Sequence, residues 1–317
     1  MEKFNEDFLK SLYRPKKESH KGQNGKLMII GGSHLFHGAS LWALKVASRI
    51  VDMVFYSSIP QNNELAQKLK SEIYDLMIVQ REEIESYIQE ADCVLLGPGM
   101  VRTQEKMVPT VDYQIKNMVE ILEIEDEGIQ TYYITKYLLY KYPDKKWVID
   151  AGSLQMMEPG WLKQLKGNVI ITPHRKEFSK LFNFQFSIFN FQSNQNEEMI
   201  KKMAEEYNCT ILLKGPEDIV CGLDKSVRPP ALTLRRVEGG NEGMTKGGTG
   251  DVLAGLTAAL SCKNDLFLAA CAASFINKKA GDELYKRVGS YFNASDLADE
   301  IPGVMKNYIA EPSGTVR

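Results

Sequence analysis

Short apolar runs followed by loop-forming residues recur along this chain, and they constrain its fold more than any other feature. Six of them are "KLMIIGG" (26–32), "DMVFYSS" (52–58), "CVLLGPG" (93–99), "WVIDAG" (147–152), "NVIITPH" (168–174) and "TILLKGP" (210–216). Each run has the length and composition of a buried strand that passes into a loop. Segments with helical spacing lie between them, including residues 38–50, 104–122 and 196–207. This alternation predicts an α/β fold, a mostly parallel sheet covered by helices on both faces.

The composition is that of a globular protein, for which one large domain and two small ones are both possible, and it excludes several classes of function; with the family resemblance described below, we predict a single domain over residues 1–317. With 44% hydrophobic and 25% charged residues the chain can bury a large core, and we find neither an internal repeat nor a strong linker. The net charge of −2 argues against a nucleic-acid-binding surface. Because the N-terminus lacks the apolar segment of a secretory signal and no stretch approaches the roughly 18 apolar residues of a spanning helix, we expect a cytoplasmic protein without membrane contact.

The five cysteines support the same compartment. They are odd in number, show no CxxC spacing and mostly stand inside apolar runs. That pattern is typical of buried thiols in a reducing compartment and argues against a disulfide framework or a zinc site.

The stretch "TKGGTGDVLAG" (245–255) places four glycines and one aspartate before a predicted helix. Glycines at a helix start let backbone N–H groups converge on an anion, and the helix dipole favours negative charge there. The stretch matches neither the P-loop pattern nor the dinucleotide-binding pattern GxGxxG. We interpret it as a phosphate cradle.

Asp251 stands beside this cradle, in the first turn of the following helix. A carboxylate next to phosphate is electrostatically unfavourable, but it is suited to accept the proton of a hydroxyl that attacks the phosphoryl group. The alternative is that Asp251 only caps the helix and that the glycines form a tight turn.

Eight segments in order resemble the NAD(P)H-hydrate dehydratases of the ribokinase-like superfamily, over roughly residues 18 to 308. The segments are "ESHKGQNGKLMIIGGS" (18–33), "FHGASLWA" (36–43), "LLGPGM" (95–100), "VIDAGSL" (148–154), "ITPHRKEF" (171–178), "ILLKG" (211–215), "NEGMTKGGTGDVLAG" (241–255) and "NASDLADEIP" (293–302). The resemblance implies a ribokinase-like three-layer α/β/α sandwich. It also implies a carbon–oxygen lyase for nicotinamide nucleotide repair, in which the S-epimer of hydrated NADH or NADPH loses water at the expense of ADP or ATP.

The resemblance assigns roles to particular residues. Asp251 would be the base that deprotonates the ring hydroxyl, whose phosphorylation turns a poor leaving group into a good one. The positions implied to contact the hydrated dinucleotide are Ala39, Gly99, His174 and Asp251. Those implied to bind the nucleotide are Lys214, Gly215, Pro216, Glu217, Asp218, Gly247, Gly248, Thr249 and Gly250.

The resemblance also suggests a cation and partners. Glu177 would help to hold Mg²⁺ through water, the usual arrangement beside phosphates. The family usually has His-Pro-Gly-Glu where this chain has His174, Arg175, Lys176 and Glu177. Only a short N-terminal extension precedes the first matching segment, so we expect a separate epimerase to supply the correct epimer. The aromatic segment 181–198 fits an ordinary loop with hydrophobic anchors, a surface flap or an oligomer contact; we predict a homo-oligomer, and we expect the tail after residue 309 to be disordered.

Two other functions stay open at this stage. A small-molecule kinase of the same superfamily, acting on a hydroxymethylpyrimidine or thiazole alcohol, would share the cradle and the aspartate. A nucleotide sensor without catalysis would bind ADP or a dinucleotide but show no turnover. The sequence does not decide between ADP and ATP, or between the hydrates of NADH and NADPH.

Overall fold

The computed structural model describes residues 2–68, 75–103, 117–185 and 194–309. Ten strands lie within these ranges: β1 (Glu2–Lys3), β2 (Lys26–Ile30), β3 (Met53–Ser57), β4 (Leu76–Ile78), β5 (Cys93–Leu96), β6 (Lys146–Ile149), β7 (Val169–Ile171), β8 (Thr210–Leu213), β9 (Asp218–Asp224) and β10 (Ala231–Val237). The six predicted strands are therefore confirmed as β2, β3, β5, β6, β7 and β8.

The same ranges contain eleven α-helices: α1 (Gly38–Ala47), α2 (Pro60–Lys68), α3 (Ile84–Glu90), α4 (Met118–Leu122), α5 (Glu127–Lys141), α6 (Ala151–Met156), α7 (Arg175–Leu181), α8 (Asn194–Glu206), α9 (Thr249–Ser261), α10 (Leu266–Val288) and α11 (Ala294–Ile309). The predicted helices over 38–50 and 196–207 correspond to α1 and α8. After residue 247 the chain is almost continuously helical, as its alanine-rich pattern predicts.

All ten strands form one sheet, in the order β1-β10-β9-β8-β7-β6-β5-β2-β3-β4. The seven strands from β2 to β8 run parallel, which confirms the mostly parallel sheet. Strand β9 pairs antiparallel with both β8 and β10, and β1 pairs parallel with β10. The short β4 and the edge formed by β9, β10 and β1 were not predicted. β10 "ALTLRRV" is partly exposed and carries two arginines, so it lacks the continuous apolar run of a central strand.

Helices cover both faces of the sheet and bury two cores. Alternate residues of β2 show the division, because Leu27 and Ile29 belong to one core and Met28 and Ile30 to the other. The first core packs against α1, α9, α10 and α11, and the second against α3 to α8. This is a three-layer α/β/α arrangement.

The N-terminal residues form part of this structure. Strand β1 pairs with β10, and the 3-10 helix Glu6–Ser11 places Leu9 fully inside the first core. The ring of Phe4 packs against Phe275 of α10, with centroids 5.6 Å apart. The segment that precedes the first matching motif therefore completes the sheet edge and part of the core.

Several expectations fall on residues outside those described. They concern the helical spacing over 104–116, the centre of the aromatic segment at 186–193, and the tail from residue 310. All five cysteines are buried and reduced. Among the described helices, none combines the length and apolarity needed to cross a membrane.

Candidate functional site

The loops predicted at one edge of the sheet meet there in the structure. Strands β2, β3, β5, β6, β7 and β8 run in the same direction, so their carboxyl ends share one edge. The loops begin at Gly31, Ser58, Gly97, Asp150, Thr172 and Lys214. Helix α9 also begins at this edge. Gly250 lies in its first turn, and the ammonium nitrogen of Lys214 is 3.7 Å from the position that a Cβ on Gly250 would take. Ligands of open parallel sheets bind at such an edge.

A buried ion pair lies at the centre of this edge. Lys214 Nζ donates to Asp150 Oδ1 at 2.8 Å, and the hydroxyl of Thr172 donates to the same oxygen at 2.8 Å. Asp150 is only 2% exposed and occupies the N-cap of α6, yet its side chain makes no cap hydrogen bond. The carboxylate instead turns toward the lysine. Burial lowers the pKa of Lys214, but the charges of Asp150, Glu177 and Asp251 outweigh it and raise that pKa, so the side chain stays an ammonium.

The glycine-rich loop reaches the pair through the start of α9. Gly248, the N-cap residue, has φ +95°, and a Cβ there would lie 2.5 Å from the ring of Trp42. Only glycine fits this position without strain. The hydroxyl of Thr249 donates back to the carbonyls of Met244 and Lys246, at 2.7 and 2.9 Å, and so fixes the loop. The first amides of a helix point away from it, and here no side chain caps them.

Asp251 has the most perturbed carboxyl of the site. Burial raises its pKa first, and the negative charges of Asp150 and Glu177 raise it further, whereas Lys214 lowers it; the result is about 7. Such a group exists in both protonation states near neutral pH. This is the property that a general base or acid needs.

His174 and Glu177 form a reciprocal cap at the start of α7. The backbone N–H of Glu177 donates to His174 Nδ1 at 3.1 Å, and the N–H of His174 donates to Glu177 Oε2 at 2.8 Å. Gln155 donates to the other carboxylate oxygen of Glu177 at 2.7 Å, so both oxygens are engaged inside the protein. The imidazole is half exposed, and its Nε2 carries the proton because Nδ1 accepts a hydrogen bond. Arg175 and Lys176 follow directly, in the first turn of α7.

Side chains of β9 and α10 fix the turn after β8. Gly215 N donates to Asp218 Oδ1 at 2.9 Å, and the hydroxyl of Ser274 donates to the other oxygen of that carboxylate at 2.7 Å. Lys278 donates to the carbonyls of Gly215 and Pro216, at 3.1 and 2.9 Å. Asp218 and Lys278 are both almost fully buried. The polar atoms of Asp218 are therefore used to fix the shape of the turn.

Glu217, predicted to bind the nucleotide, and Asn241, the first residue of the matching segment 241–255, lie around this turn and the glycine loop. Glu217 pairs with Arg236 of β10 at 3.2 Å. Asn241 caps the 3-10 helix Glu242–Thr245 that leads into the glycine loop, and it donates to the carbonyl of Gly281 at 2.9 Å. Both side chains thus anchor the loops that carry the charged residues. Gly247 has no other group within 4 Å of the place its Cβ would take.

The other half of the edge is built from closely packed backbone. Gly99 has φ +75°, and a Cβ there would lie 3.0 Å from the Cβ of Ala39 and 3.2 Å from the Cα of Gly32. Gly32 N donates to the carbonyl of Pro98 at 2.8 Å. Two of the four positions predicted to contact the hydrate, Ala39 and Gly99, are therefore brought together. We call Asp150, Glu177, Lys214 and Asp251 the charged half of the site, and the loops 31–39 and 97–99 the glycine half.

Polar side chains fasten the rim of the glycine half. Asn62 Nδ2 donates to the carbonyl of Ser33 at 3.3 Å, and its oxygen lies 2.5 Å from Nδ1 of His37. The loop between these contacts exposes Leu35 and Phe36, whose relative exposures are 68% and 49%. Two large apolar side chains thus face solvent at the mouth of the site.

Sequence reasoning missed three buried side chains that shape the site: Asp150, Lys278 and Arg81. Asp150 could have been found, because it ends a strand run in "WVIDAG" at the edge where the other loops emerge. Lys278 stands inside a long helix, and Arg81 in a polar stretch outside any recognised segment. Their role depends on long-range packing, which no local pattern shows.

Taken together, the geometry supports chemistry on a phosphorylated ligand. An ammonium and a set of helix amides can bind phosphate, and a carboxyl with a pKa near neutrality can take up a proton beside them. The glycine half offers a wall of closely packed backbone at Gly32, Ala39 and Gly99, suited to a flat and bulky second ligand.

Comparison with known proteins agrees with this reading. A family model described as NAD(P)H-hydrate dehydratase matches residues 27–303. A bifunctional NAD(P)H-hydrate repair enzyme from Methanocaldococcus jannaschii is 33% identical, covering 94% of this chain and 51% of that protein. An ADP-dependent (S)-NAD(P)H-hydrate dehydratase from Nitrosopumilus maritimus is 31% identical, covering 92% of both chains. The chain thus spans about half the length of the first relative and most of the second.

Solved structures share the fold. The ADP/ATP-dependent NAD(P)H-hydrate dehydratase of Bacillus subtilis, co-crystallised with ATP and Mg²⁺, superposes with a TM-score of 0.70 at 20% identity. The match covers 97% of this chain and 98% of that one. The ribokinase-like architecture is therefore confirmed, and the extent of the family match shows that this chain belongs to the NAD(P)H-hydrate dehydratase family.

Proposed function

We propose that this chain restores NADH or NADPH from the S-epimer of its hydrate, with ADP or ATP as phosphoryl donor. The observation that carries the proposal is Asp251. Its carboxyl has a pKa of about 7 and stands in the first turn of α9, beside the ammonium of Lys214. A proton acceptor next to a phosphate cradle is what phosphorylation of a hydroxyl requires.

The reaction proceeds in two steps with a closed balance. Asp251 takes the proton of the ring hydroxyl while that oxygen attacks the terminal phosphorus and the bond from phosphorus to the leaving nucleotide breaks. The carbon–oxygen bond then breaks, and its electron pair leaves with phosphate. The departing phosphate takes up a proton from the adjacent ring carbon, and the electron pair of that carbon–hydrogen bond forms the double bond. The products are NAD(P)H, phosphate and AMP from ADP, or ADP from ATP.

The remaining residues bind and orient. Lys214 and the first amides of α9 would hold the transferred phosphoryl group, with Gly250 leaving room for its approach. Gly215 and Pro216 would form the floor under the nucleotide through their fixed backbone, and Glu217 and Asp218 would act by fixing that turn. Ala39, Gly99 and the exposed imidazole of His174 would contact the hydrate.

The donor set fits Mg²⁺, which usually keeps several waters and takes few carboxylates in addition to phosphate oxygens. Asp150 would hold the ion, and Glu177 would act through water because both of its oxygens are engaged. When bound, the ion would neutralise phosphate charge. Among the described residues, no group of three or more His, Cys, Asp or Glu side chains is placed to hold a metal ion.

We further infer a functional partnership with an NAD(P)H-hydrate epimerase, because a dehydratase that accepts one epimer leaves the other unrepaired. A homo-oligomer and a cytoplasmic location complete the proposal. Light scattering of the purified protein would decide the first, since a monomer at working concentration contradicts it.

The test is to mix the protein with hydrated NADH, Mg²⁺ and either ADP or ATP, and to follow dihydronicotinamide absorbance and released phosphate. We expect absorbance to return with one phosphate per NADH formed. The nucleotide that supports the return is the donor. Phosphate retained on an organic product would indicate a kinase instead, and nucleotide binding without turnover on any alcohol would indicate a sensor.

A further inference from the structure

A buried guanidinium lies beneath the glycine half of the site. Arg81 is 7% exposed, and its Nη2 donates to the carbonyls of both Gly31 and Gly32, each at 3.1 Å. Nη1 donates to Gln130 at 3.2 Å. Throughout the described part of the chain no carboxylate oxygen lies within ion-pair distance of this arginine, and its Nε is buried without a hydrogen-bond partner. Burial lowers the pKa of Arg81 to about 10, so it remains charged at neutral pH.

An arginine in such a place is energetically unfavourable for the fold alone. Moving a charge out of water costs several kcal/mol unless polar partners compensate, and an apolar side chain of similar size often packs at least as well. The compensation that Arg81 receives comes from hydrogen bonds to two backbone carbonyls and one amide, and from the nearby charge of Glu127. Its contacts therefore identify what it holds, which is the loop at Gly31 and Gly32.

That loop supports the positions predicted to contact hydrate. The carbonyl of Pro98 accepts from Gly32 N at 2.8 Å, and a Cβ on Gly31 would lie 2.3 Å from the same carbonyl oxygen. Gly99 in turn packs against Ala39 and Gly32. A shift of the loop would break the hydrogen bond from Gly32 to Pro98 and change the wall that the two glycine loops form.

We propose that Arg81 is a positioning residue for the hydrate, acting through the carbonyls of Gly31 and Gly32. The inference rests on the proposed function and adds to it a residue that determines the affinity for one of two substrates. Arg81 does not touch the reacting atoms. It fixes the backbone against which the ring and its hydroxyl are placed, and so keeps the hydroxyl within reach of Asp251.

Lys278 provides an internal contrast. It donates in the same way to two successive carbonyls, those of Gly215 and Pro216, but it lies under the nucleotide loop and has Asp218 at 3.4 Å. Each loop is thus fixed by one buried cation. If both cations act by positioning, loss of Arg81 should weaken binding of the hydrate only, and loss of Lys278 should weaken binding of the nucleotide only.

The experiment compares Arg81→Met, Arg81→Lys, Lys278→Met and Gln130→Met, each assayed for the KM of hydrated NADH, the KM of the nucleotide, kcat and thermal stability. Arg81→Met should raise the KM of the hydrate about tenfold while the KM of the nucleotide changes less than about twofold. Arg81→Lys should recover part of the loss, because an ammonium can donate to at least one carbonyl. Lys278→Met should show the reverse pattern.

Gln130→Met is the matched control. It removes a partner of Arg81 without touching the glycine loop, so stability should fall while both KM values stay near those of the unmodified protein. Equal changes in both KM values for Arg81→Met, or an unchanged KM for the hydrate, would overturn the proposal. If Arg81→Met does not fold, Arg81→Lys still tests the proposal, because the KM of the hydrate should rise more than the KM of the nucleotide in that variant too. Failure of the proposed function can be distinguished from failure of this proposal, because the unmodified protein would then show no turnover of the hydrate at all.

Discussion

The two halves of the site are built by different physical means. The charged half brings three carboxylates and one ammonium together on strand and helix ends, and burial together with the charges of Asp150 and Glu177 raises the pKa of Asp251 to about 7. The glycine half contains close backbone contacts among Gly32, Ala39 and Gly99, and a buried cation, Arg81, lies beneath it. Electrostatics therefore defines one half and shape the other.

This difference indicates a division of labour. Phosphoryl transfer depends on charge placed where charge develops, so the charged half should control turnover and nucleotide binding. A nicotinamide ring offers a flat surface, so the glycine half should control the affinity for hydrate. Substitutions in either half can test whether the two properties are separable.

The largest effect is expected from Asp251→Asn. The amide cannot accept the hydroxyl proton, whereas the glycine loop and Lys214 stay in place, so kcat should fall by at least about 100-fold with nucleotide affinity preserved. Steady-state kinetics and calorimetric titration with ADP would measure the two quantities. Asp299→Asn, an exposed change on α11, serves as control. Turnover retained by Asp251→Asn would mean that the carboxylate is only a helix cap.

The same substitution should show how far the raised pKa of Asp251 lowers the free energy of unfolding. The pKa of Asp251 is about 7 in the folded protein and near 3.8 in an unfolded chain. Between about pH 4 and 7 the folded state therefore holds a proton that the unfolded state has lost, and stability falls as pH rises through that window.

Asp251→Asn removes this dependence, because asparagine does not titrate. Its stabilisation relative to the unmodified protein should be greater at pH 8 than at pH 5, by about 2 kcal/mol. Urea unfolding of both proteins at the two pH values would measure this difference in the free energy of unfolding. Titrating groups that behave alike in the two proteins cancel in the comparison. An equal difference at both pH values would show that burial and the charges of Asp150 and Glu177 do not raise the pKa of Asp251 as described.

Lys214→Met tests the cation of the charged half. Loss of a charged donor should weaken nucleotide binding by about 30-fold. Because Lys214 lowers the pKa of Asp251, that pKa should rise and the acid limb of the kcat profile should move to higher pH. Lys286→Met, an exposed change on α10, is the matched control. Unchanged affinity for ADP would place the phosphate elsewhere.

The fold could be predicted from sequence to a large extent, because its central strands are continuous apolar runs that end at loops. What local patterns missed depends on long-range contacts. Strand β10 has exposed positions and is identifiable only through its pairing with β9, and the N-terminal strand β1 only through its pairing with β10.

The site was predictable where a residue directly follows a strand or a glycine run, as do Lys214 and Asp251. The predicted carboxylates of Asp218 and Glu177 do lie near the loops, but their oxygens bind groups within the protein, a distinction that only coordinates provide. Asp150 was visible in the sequence as the end of a strand run. Its importance comes from the bond to Lys214, which lies 64 positions away along the chain.

The smallest effect, and the one that tests the glycine half directly, is expected from Gly99→Ala. The new Cβ would meet the carbonyl of Phe36 at 2.9 Å in a left-handed backbone conformation, so the loop must shift and the wall facing the hydrate must change. The KM of hydrated NADH should rise about tenfold while ADP affinity is unchanged. Gly160→Ala is the control, because a Cβ there has no other atom within 4 Å. Should ADP affinity fall as much as that for hydrate, the two halves would not be independent, and the division between charge and shape would fail.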